Sequence, residues 1–209
     1  MPRPAEKSEM TASDVLKMKE TWLLSFIFLA PVAASFALAT FLPAYYAKER
    51  GMTMAVACSW TSITFFIGVP AAIIGGIWGS QAGLRRPFLI GDGIILGIGC
   101  LGAVLSSGPI SVLFLILAGI GFLFYSGIFF TIPMEIEGIT PKATGLMIGI
   151  ISFIGFEAGF LAPVIVGWIE KMTGSLKSGL LLFSLISFLM AILPVFLKET
   201  GPKAKTAPK

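Results

Sequence analysis

Six long apolar stretches, separated by short polar segments, constrain this chain more than any other feature of its sequence. A helix needs about 20 mainly apolar residues to cross a bilayer, and each stretch is long enough, so we predict six transmembrane helices, called spans 1 to 6. Their predicted bounds are Trp22–Tyr46, Thr53–Gly79, Pro87–Leu105, Ile110–Met134, Ala143–Ile169 and Gly179–Leu197. The predicted fold class is therefore an all-α integral membrane protein.

The composition supports this prediction. Hydrophobic residues make up 56% of the 209 residues and charged residues only 12%, which is too little polar surface to coat a water-soluble domain. We divide the chain into a polar, linker-like segment (1–21), a six-helix transmembrane domain (22–200) and a basic tail (201–209). Residues 1–21 have no apolar core followed by a cleavage site, so we expect no cleavable targeting segment.

Several classes of function are excluded by the residues that are missing. The chain has 0 histidines and 2 cysteines, so Ser-His and Cys-His nucleophiles are excluded, and zinc and haem sites lack ligands. A phosphate-binding GxxxxGK[ST] loop is also absent. We therefore expect no enzymatic activity, no cofactor and no metal site. Nucleic acid is not an expected partner, because the basic residues are spread over several short segments.

The distribution of basic residues predicts the orientation in the membrane. If the N-terminus lies inside, 11 of the 15 Lys and Arg residues are on the inner side and 4 are on the outer side. Positive charge is retained on the cytoplasmic side during insertion. We predict a multi-pass protein of the plasma (cell inner) membrane with both termini in the cytoplasm.

Glycines and a basic residue recur at a spacing of 91 residues. The matched pairs are Gly68 with Gly159, Gly76 with Gly167, Gly83 with Gly174, and Arg86 with Lys177. Because three crossings are an odd number, the second three-helix unit must enter the membrane from the opposite side. The pattern predicts a 3+3 inverted repeat, a construction that many secondary transporters use. The alternative is that small residues recur wherever membrane helices pack closely.

Small residues also follow one face of span 2 and one face of span 5. The two sets are Ala57, Thr61, Thr64, Gly68, Ala72, Gly75 and Gly79, and Gly145, Gly149, Ser152, Gly159, Pro163 and Gly167. Such stripes allow close helix packing, which is the first interpretation. The second is that part of each stripe forms the wall of a water-filled cavity.

Three segments resemble a known family. The segment Gly76-Ile-Trp-Gly-Ser80-Gln81-Ala-Gly83-Leu-Arg85-Arg86 between spans 2 and 3 resembles the cytoplasmic loop signature of the major facilitator superfamily. The glycines and the basic pair are kept, whereas Ser80 replaces an aspartate and Gln81 a basic residue. Two further segments are similar to the closing helices of that family. They are Gly155-Phe-Glu-Ala-Gly-Phe-Leu-Ala-Pro163, continuing to Gly167, and Leu197-Lys-Glu-Thr-Gly-Pro202.

The resemblance implies half of a transporter. Family members normally have twelve helices in two halves, and this chain is similar to the C-terminal six-helix half alone. It implies secondary active transport of a small organic solute by alternating access, with symport of a coupling proton as one possibility. Besides the lipid bilayer and the solute, it implies a second six-helix unit as partner, either an identical chain or a separate N-terminal half. The alternative is a non-transporting, truncated or repurposed half that acts as an assembly or scaffold protein.

The resembled loop implies a gating role for Gly76, Gly83, Arg85 and Arg86, because in the family it is thought to hold the cytoplasmic helix ends together in one state of the cycle. Its cations can meet helix C-terminal carbonyls or a carboxylate. We expect Asp92, shallow in span 3, to pair with the arginines and to replace the charge missing at Ser80. The alternative is that the arginines only fix the topology.

Glu157 is the most unusual residue because it lies near the middle of span 5. A carboxylate at bilayer depth costs several kcal/mol unless it faces protein or water. At 100° per residue it lies about 120° from the small-residue stripe, so we expect it to face a transport cavity or another six-helix unit. We consider two roles: binding a coupling proton or a cation, or making a structural hydrogen bond as a neutral acid.

Five further polar residues are weaker candidates for the solute or proton pathway. Aromatic and hydroxyl groups suit a small organic solute, and the residues are Tyr125, Ser126, Trp60, Thr64 and Ser35. The alternative is that the hydroxyls bond backbone carbonyls and that the Trp and Tyr rings sit at the membrane interface. At the end of span 4 we expect Glu135 and Glu137 to face water.

Overall fold

The computed structural model describes residues 10–203, and within that range it contains six helices that are long and apolar enough to cross a membrane. They are Lys19–Arg50, Met54–Ala82, Arg86–Leu105, Ile110–Glu135, Pro141–Thr173 and Leu176–Phe196. The prediction of six spans is confirmed. Most observed helices extend a few residues beyond the predicted apolar stretches, because polar residues continue a helix past the bilayer core.

Side-chain caps and glycines set several span ends. Thr53 and Thr140, which precede spans 2 and 5, each accept a hydrogen bond from a backbone N–H in the first turn. Spans 2 and 5 both end at a glycine in the left-handed region, Gly83 with φ +68° and Gly174 with φ +74°. A residue with a Cβ is strained in that conformation, so these glycines determine where the two spans stop.

Spans 4 and 6 are interrupted helices. Span 4 consists of Ile110–Leu123, Ser126–Phe129 and Ile132–Glu135, and span 6 of Leu176–Ile186, Leu189–Ile192 and a 3₁₀ turn at Leu193–Phe196. At the interruptions a hydroxyl donates to the carbonyl three residues earlier: Ser126 to Leu123, Thr131 to Ile128, and Ser187 to Ser184, at 2.6, 2.7 and 2.7 Å. Such bonds compete with the helical ladder and bend helices.

The packing of the spans follows the predicted inverted repeat. Span 1 packs along span 5, and span 4 packs along span 2. In the repeat, spans 1, 2 and 3 correspond to spans 4, 5 and 6, so these two pairs are equivalent. Gly68 and Gly159, which are equivalent in the repeat, lie at these two equivalent helix contacts. A Cβ on Gly68 would meet Leu123 of span 4 at 3.0 Å, and a Cβ on Gly159 would meet Val32 of span 1 at 3.0 Å.

The two small-residue stripes differ in what they contact. In span 2 the stripe packs against span 4: a Cβ on Gly75 would overlap the carbonyl of Phe124, and one on Gly79 would overlap Ile128. In span 5, Gly145 and Gly149 have no other atom within 4 Å of an added Cβ. The packing interpretation therefore holds for these span 2 positions and does not hold for the first two positions in span 5.

A short helix, Ala12–Lys17, precedes span 1. Val15 is fully buried, the Thr21 hydroxyl donates to its carbonyl at 2.7 Å, and the Trp22 indole N–H donates to the Leu16 carbonyl at 2.8 Å. These bonds fix the turn between the short helix and span 1. Of the predicted linker-like segment, residues 1–9 lie outside the described residues, as do residues 204–209 of the basic tail.

Candidate functional site

Arg85 and Glu135 form an ion pair at one end of the bundle, called here the Arg85 end. The Arg85 guanidinium donates to both Glu135 carboxylate oxygens, with Nε at 3.1 Å from each and Nη2 at 2.6 Å from Oε1. Its Nη1 also donates to the Gly79 carbonyl at 2.8 Å. The two side chains are only 7% and 17% exposed. The pair joins the segment after span 2 to the last residue of span 4.

The segment after span 6 completes this cluster. Glu199 accepts hydrogen bonds from the backbone N–H groups of Arg85 and Arg86 at 2.7 and 3.0 Å, and so places a carboxylate at the N-terminus of span 3. The Thr200 hydroxyl donates to Glu135 at 3.1 Å. We call Arg85, Glu135, Glu199 and Thr200 the Arg85 brace. It connects spans 2, 3, 4 and 6.

The brace corrects two predictions. Asp92 was expected to pair with the arginines, but Arg85 binds Glu135 instead, and neither oxygen of Asp92 has a hydrogen-bond partner among the described residues. Glu135 was expected to face water, but it is mostly buried in the ion pair. The Asp92 prediction was wrong because its side chain points into the bundle, where it is 2% exposed. Sequence proximity does not determine that direction.

The sequence analysis therefore did not identify Glu135 and Glu199 as partners of the segment between spans 2 and 3. A sequence signal existed, because the predicted topology places both on the same side of the membrane as Arg85, and Glu199 lies in the exit segment that carries the family resemblance. Which carboxylate reaches the guanidinium depends on how spans 4 and 6 end, and the apolar pattern does not specify this.

The opposite end of the bundle, the Arg50 end, has a second cluster. Three consecutive residues at the end of span 1 each bind a different element. Lys48 pairs with Glu170 of span 5 at 3.2 Å, and Glu49 accepts hydrogen bonds from the Ser175 hydroxyl and from the Leu176 N–H at 2.7 Å. Arg50 donates to the Val104 carbonyl and to the Ser107 hydroxyl. We call these three residues the Arg50 brace.

The two braces are related by the inverted repeat. Arg85 and Leu176 occupy equivalent positions, 91 residues apart, at the starts of spans 3 and 6. In each brace a carboxylate at the end of another span, Glu135 or Glu49, binds the equivalent residue. The Arg85 brace connects spans 2, 3, 4 and 6, and the Arg50 brace connects spans 5, 6, 1 and 3. Because spans 1, 2 and 3 correspond to spans 4, 5 and 6 in the repeat, these two groups of four spans are equivalent.

Glu157 lies at the centre of the exposed face of span 5. It is exposed, and its exposed neighbours on that face include Phe153, Phe160 and Val164. It makes no hydrogen bond or ion pair within residues 10–203. The expectation that Glu157 faces a transport cavity or another six-helix unit stays a prediction.

Thr64 lines a small groove between spans 1, 2 and 4. The other lining residues are Leu38, Ala39, Leu42, Thr61, Phe65 and Phe122. The Thr61 hydroxyl donates to the backbone of its own helix, at 3.0 Å from the Ala57 carbonyl, whereas the Thr64 hydroxyl makes no hydrogen bond among the described residues. The groove has room for about one water-sized group.

The remaining pathway candidates are placed by packing or by local hydrogen bonds. Tyr125 is buried at the first interruption of span 4, with its ring edge-on to Phe129 at 5.7 Å, and Trp60 is half-buried against Tyr46 at 6.5 Å. The hydroxyls of Ser126 and Ser35 donate to the carbonyls of Leu123 and Val32. These contacts match the structural alternative for the two serines.

The two glycines of the resembled loop have close neighbours. A Cβ on Gly127 of span 4 would lie 2.6 Å from the Gly76 Cα, so spans 2 and 4 meet closely at this point. Gly83 ends span 2, and its carbonyl accepts a hydrogen bond from the Lys203 N–H at 3.1 Å. Within residues 10–203 no group of three or more Cys, Asp and Glu side chains is arranged to hold a metal ion.

The chain was compared with known proteins. No protein-family model matches it. It is 26% identical over 208 residues to the inner membrane transport protein RhmT of Escherichia coli (strain K12), covering 96% of this chain and 47% of that protein. It is 24% identical over 222 residues to a hexuronate transporter of Bacillus subtilis (strain 168), covering 97% of this chain and 51% of that protein. The chain thus spans about half the length of these relatives.

Solved structures agree with this. The fucose:proton symporter FucP of E. coli, a major facilitator superfamily transporter, superposes with a TM-score of 0.71 at 20% identity, covering 94% of this chain and 50% of that chain. This chain has the fold of a major facilitator half. The xylose transporter XylE of E. coli in an inward-open conformation gives a TM-score of 0.65 at 16% identity, covering 93% of this chain and 49% of that chain.

The major facilitator fold explains the arrangement of the exposed faces. Spans 2 and 5 are the least buried of the six, and their exposed positions correspond in the repeat: Phe65 with Phe156, Phe66 with Glu157, Val69 with Phe160, and Ile77 with Trp168. The described part of this chain thus leaves two helix faces uncovered that are equivalent in the repeat. Of these pairs, only the one that contains Glu157 includes a charge.

Proposed function

We propose that this chain is one half of a secondary transporter, which moves a small organic solute across the plasma membrane by alternating access together with a second six-helix unit. The observation that carries the proposal is the alignment: almost the whole chain matches about half of each transport protein. In a full transporter, the uncovered faces of spans 2 and 5 would be covered by the second unit or would line the pathway. This half corresponds to the C-terminal one, on the sequence resemblance.

The Arg85 brace is the proposed latch. In alternating access two packed states must exchange, and discrete ion-pair networks at helix ends can hold one state and be released in the other. The brace joins four spans at the Arg85 end, which we predict to face the cytoplasm because most Lys and Arg residues lie on that side. We propose that it holds that end of the half together while the pathway is open to the outside.

The residues proposed for the solute or proton pathway are Thr64 and Glu157. Two of the relatives are named for organic anions, the hexuronate transporter and a probable sulfoacetate transporter of Cupriavidus necator that is 25% identical over 167 residues. Small organic anions are therefore the first solutes to test. In this half every Lys and Arg of a span lies within three residues of a span end, so a cation that binds such a solute at mid-membrane depth would come from the second unit.

An uptake measurement tests the proposal. Cells that express the protein as its gene encodes it are given radiolabelled glucuronate, galacturonate or sulfoacetate, with fucose and xylose as neutral comparisons. Uptake above that of empty-vector cells, inhibited by an excess of the same unlabelled solute, is the expected result. Glu135→Gln tests the latch, since it removes the ion pair and should slow uptake, and Glu137→Gln, at an exposed position, is its matched control. If the protein is folded in the membrane but takes up none of the three organic anions, the proposed solute class is contradicted.

A further inference from the structure

Asp92 is a buried acid that neither the Arg85 brace nor the exposed helix faces use. It is 2% exposed, and neither of its carboxyl oxygens has a hydrogen-bond partner among the described residues. An ionised carboxylate that is buried without a partner is so unfavourable that such a group normally takes up a proton instead. The groups that surround Asp92 therefore decide what it binds.

Spans 4 and 6 pack against span 3 at the depth of Asp92. On the span 6 side a Cβ on Gly93 would overlap the backbone of Ala191, so the two backbones are in contact, and the neighbouring side chain is the apolar Met190. On the span 4 side the titratable group is the phenol of Tyr125. The charged groups of the Arg85 brace bind one another or backbone N–H groups at the end of the bundle. The surroundings of Asp92 thus offer it backbone groups and no counter-charge.

The backbone of span 4 has an open hydrogen-bond position at the same depth. The Phe124 N–H still donates to the Ile120 carbonyl at 3.0 Å. Among the described residues the next bond of the helix, from the Tyr125 N–H to the Gly121 carbonyl, is not formed, and the first segment of span 4 ends there. One backbone donor and one acceptor are therefore left open inside a membrane span, where each needs a partner from the protein.

This open position faces span 3 beside Asp92. Gly121 packs directly on span 3, because a Cβ on it would lie 2.6 Å from the Leu96 Cα. Spans 3 and 4 run in opposite directions, so Tyr125, one turn after Gly121, lies opposite Asp92, one turn before Leu96. The Tyr125 N–H is directed at the Asp92 carboxyl group without completing a hydrogen bond to it. An open N–H, an open carbonyl and a carboxyl group without a partner thus meet at one place.

We propose that Asp92 is a proton-binding site, and that as a neutral acid it bridges the open position of span 4, donating its O–H to the Gly121 carbonyl and accepting the Tyr125 N–H. A neutral carboxyl group has one donor and a free acceptor oxygen, which match an open carbonyl and an open N–H. A carboxylate could accept the N–H but would repel the carbonyl. The bound proton therefore stabilises the interruption of span 4, and its loss favours closure of the Tyr125 to Gly121 backbone bond. No step of this inference requires a solute, so it stands apart from the proposed function.

Isotope labelling can report the protonation state of Asp92 because the chain has one other aspartate, Asp14. Asp14 is exposed, and the hydrogen bond from the Thr11 hydroxyl lowers its pKa, so it is an internal standard for the ionised form at neutral pH. The full chain, carrying carbon-13 in the aspartate side-chain carboxyl groups, is placed in phosphatidylcholine vesicles, and its infrared spectrum is compared with that of the unlabelled chain.

We expect two label-sensitive signals, a carboxylate band from Asp14 and the C=O band of a neutral acid from Asp92. The neutral-acid band should disappear in Asp92→Asn and remain in Glu157→Gln, which is the matched control for the other acid at membrane depth. Carboxylate bands alone, with no label-sensitive band of a neutral acid, would overturn the inference.

Two substitutions of Asp92 test the bridge to span 4. Asparagine has a similar shape and offers both a donor and an acceptor, whereas leucine offers neither and leaves the Gly121 carbonyl and the Tyr125 N–H open. We expect the melting temperature of the purified chain in detergent to be unchanged in Asp92→Asn and several degrees lower in Asp92→Leu.

The opposite result for leucine would overturn the bridge. If Asp92 were only a buried acid without partners, leucine would remove an unfavourable polar group and raise the melting temperature. An equal loss in the asparagine and leucine variants would also overturn it, because the amide keeps the donor and the acceptor. If Asp92→Leu does not fold, the infrared spectrum of the unsubstituted chain and the melting of Asp92→Asn still decide the question.

Discussion

Arg85 and Glu135 lie 50 residues apart in the sequence, and the Arg85 Nη2 atom is 2.6 Å from the Glu135 Oε1 atom. The planar guanidinium meets both carboxylate oxygens, an arrangement that adds geometric specificity to the attraction. A single ion pair thus fixes the distance between the start of span 3 and the end of span 4. The two residues anchor the Arg85 brace.

Removing the carboxylate should destabilise the bundle. In Glu135→Gln the mostly buried Arg85 loses its counter-charge, and because Glu135 is 17% exposed we expect a loss of about 2 to 3 kcal/mol in the free energy of unfolding, at or below the lower end of the range for a fully buried pair. Unfolding of the purified chain by a denaturing detergent, followed by circular dichroism, measures it. Glu137→Gln, two residues away and exposed, should change the stability by less than about 0.5 kcal/mol. Equal effects of the two substitutions would contradict the role of the pair.

At the Arg50 end, Glu49→Gln should cost about 1 kcal/mol. The carboxylate accepts the Leu176 N–H and the Ser175 hydroxyl at the N-terminus of span 6, where a negative charge is favourable. The same unfolding measurement applies. The comparison is Glu170→Gln, which removes an ion pair whose Lys48 partner is 66% exposed, and it should cost less than about 0.5 kcal/mol. A larger loss from Glu170→Gln than from Glu49→Gln would show that capping of span 6 is not the stronger contact.

The span 2 and span 5 stripes should respond differently to added methyl groups. Gly75→Ala places a Cβ onto the carbonyl of Phe124, so spans 2 and 4 must separate, and we expect a loss of about 3 kcal/mol or more. Gly149→Ala meets nothing within 4 Å and should be neutral or stabilising by up to about 1 kcal/mol, because alanine is the better helix former. Thermal melting in detergent distinguishes them. Similar melting temperatures for both variants would rule out the close packing of spans 2 and 4.

Cysteine labelling checks the predicted orientation. In a Cys58→Ser background, Ser107→Cys reports on the Arg50 end and Gln81→Cys on the Arg85 end, since both positions are exposed. Because positive charge is retained inside, we expect a membrane-impermeant maleimide to label Ser107→Cys in intact cells, and to label Gln81→Cys only after the cells are opened. The reverse pattern would invert the topology.

Glu157→Gln tests the proposed coupling. If the carboxyl group carries the coupling proton, its replacement by an amide removes the pH dependence of uptake, while exchange of labelled for unlabelled solute continues. Uptake is measured between pH 5.5 and 8, values chosen to bracket neutrality, with Phe66→Leu at the equivalent position of the repeat as the control. An unchanged pH profile in the Gln variant would contradict the idea that Glu157 carries the coupling proton.

The fold could be predicted from the sequence because the bilayer imposes simple rules. A span needs a certain number of apolar residues, and its backbone groups must be satisfied within the helix. The six stretches and the 91-residue spacing from Gly68 to Gly159 were therefore sufficient for six spans and an inverted repeat. The interruptions of span 4 were not predicted. Ser126 and Thr131 are common residues in membrane helices, and the sequence does not show that their hydroxyls donate to the carbonyls three residues earlier.

The candidate site was only partly predictable. Sequence reasoning identified Arg85 and the exceptional depth of Glu157, because charged residues are rare in membrane spans and each needs a reason. It assigned the wrong partner to Arg85, since it chose the acid nearest in sequence. Asp92 is seven residues away and turns into the bundle, whereas Glu135 is brought to the guanidinium by the packing of span 4 along span 2.

The sequence by itself determined the number of spans and the repeat, since these follow from apolar length and from spacing along the chain; the half-length character followed from the family resemblance and from the coverage of the relatives. Only the tertiary structure decided which charges meet: Glu135 with Arg85 at one end, and Glu49 with the start of span 6 at the other. Hydrogen bonds and ion pairs act over about 3 Å, so a contact between residues 50 or 127 positions apart depends on where the helices end and how they pack. For the same reason, the position of Glu157 on the exposed face of span 5 could be seen only once the described helices had been packed together.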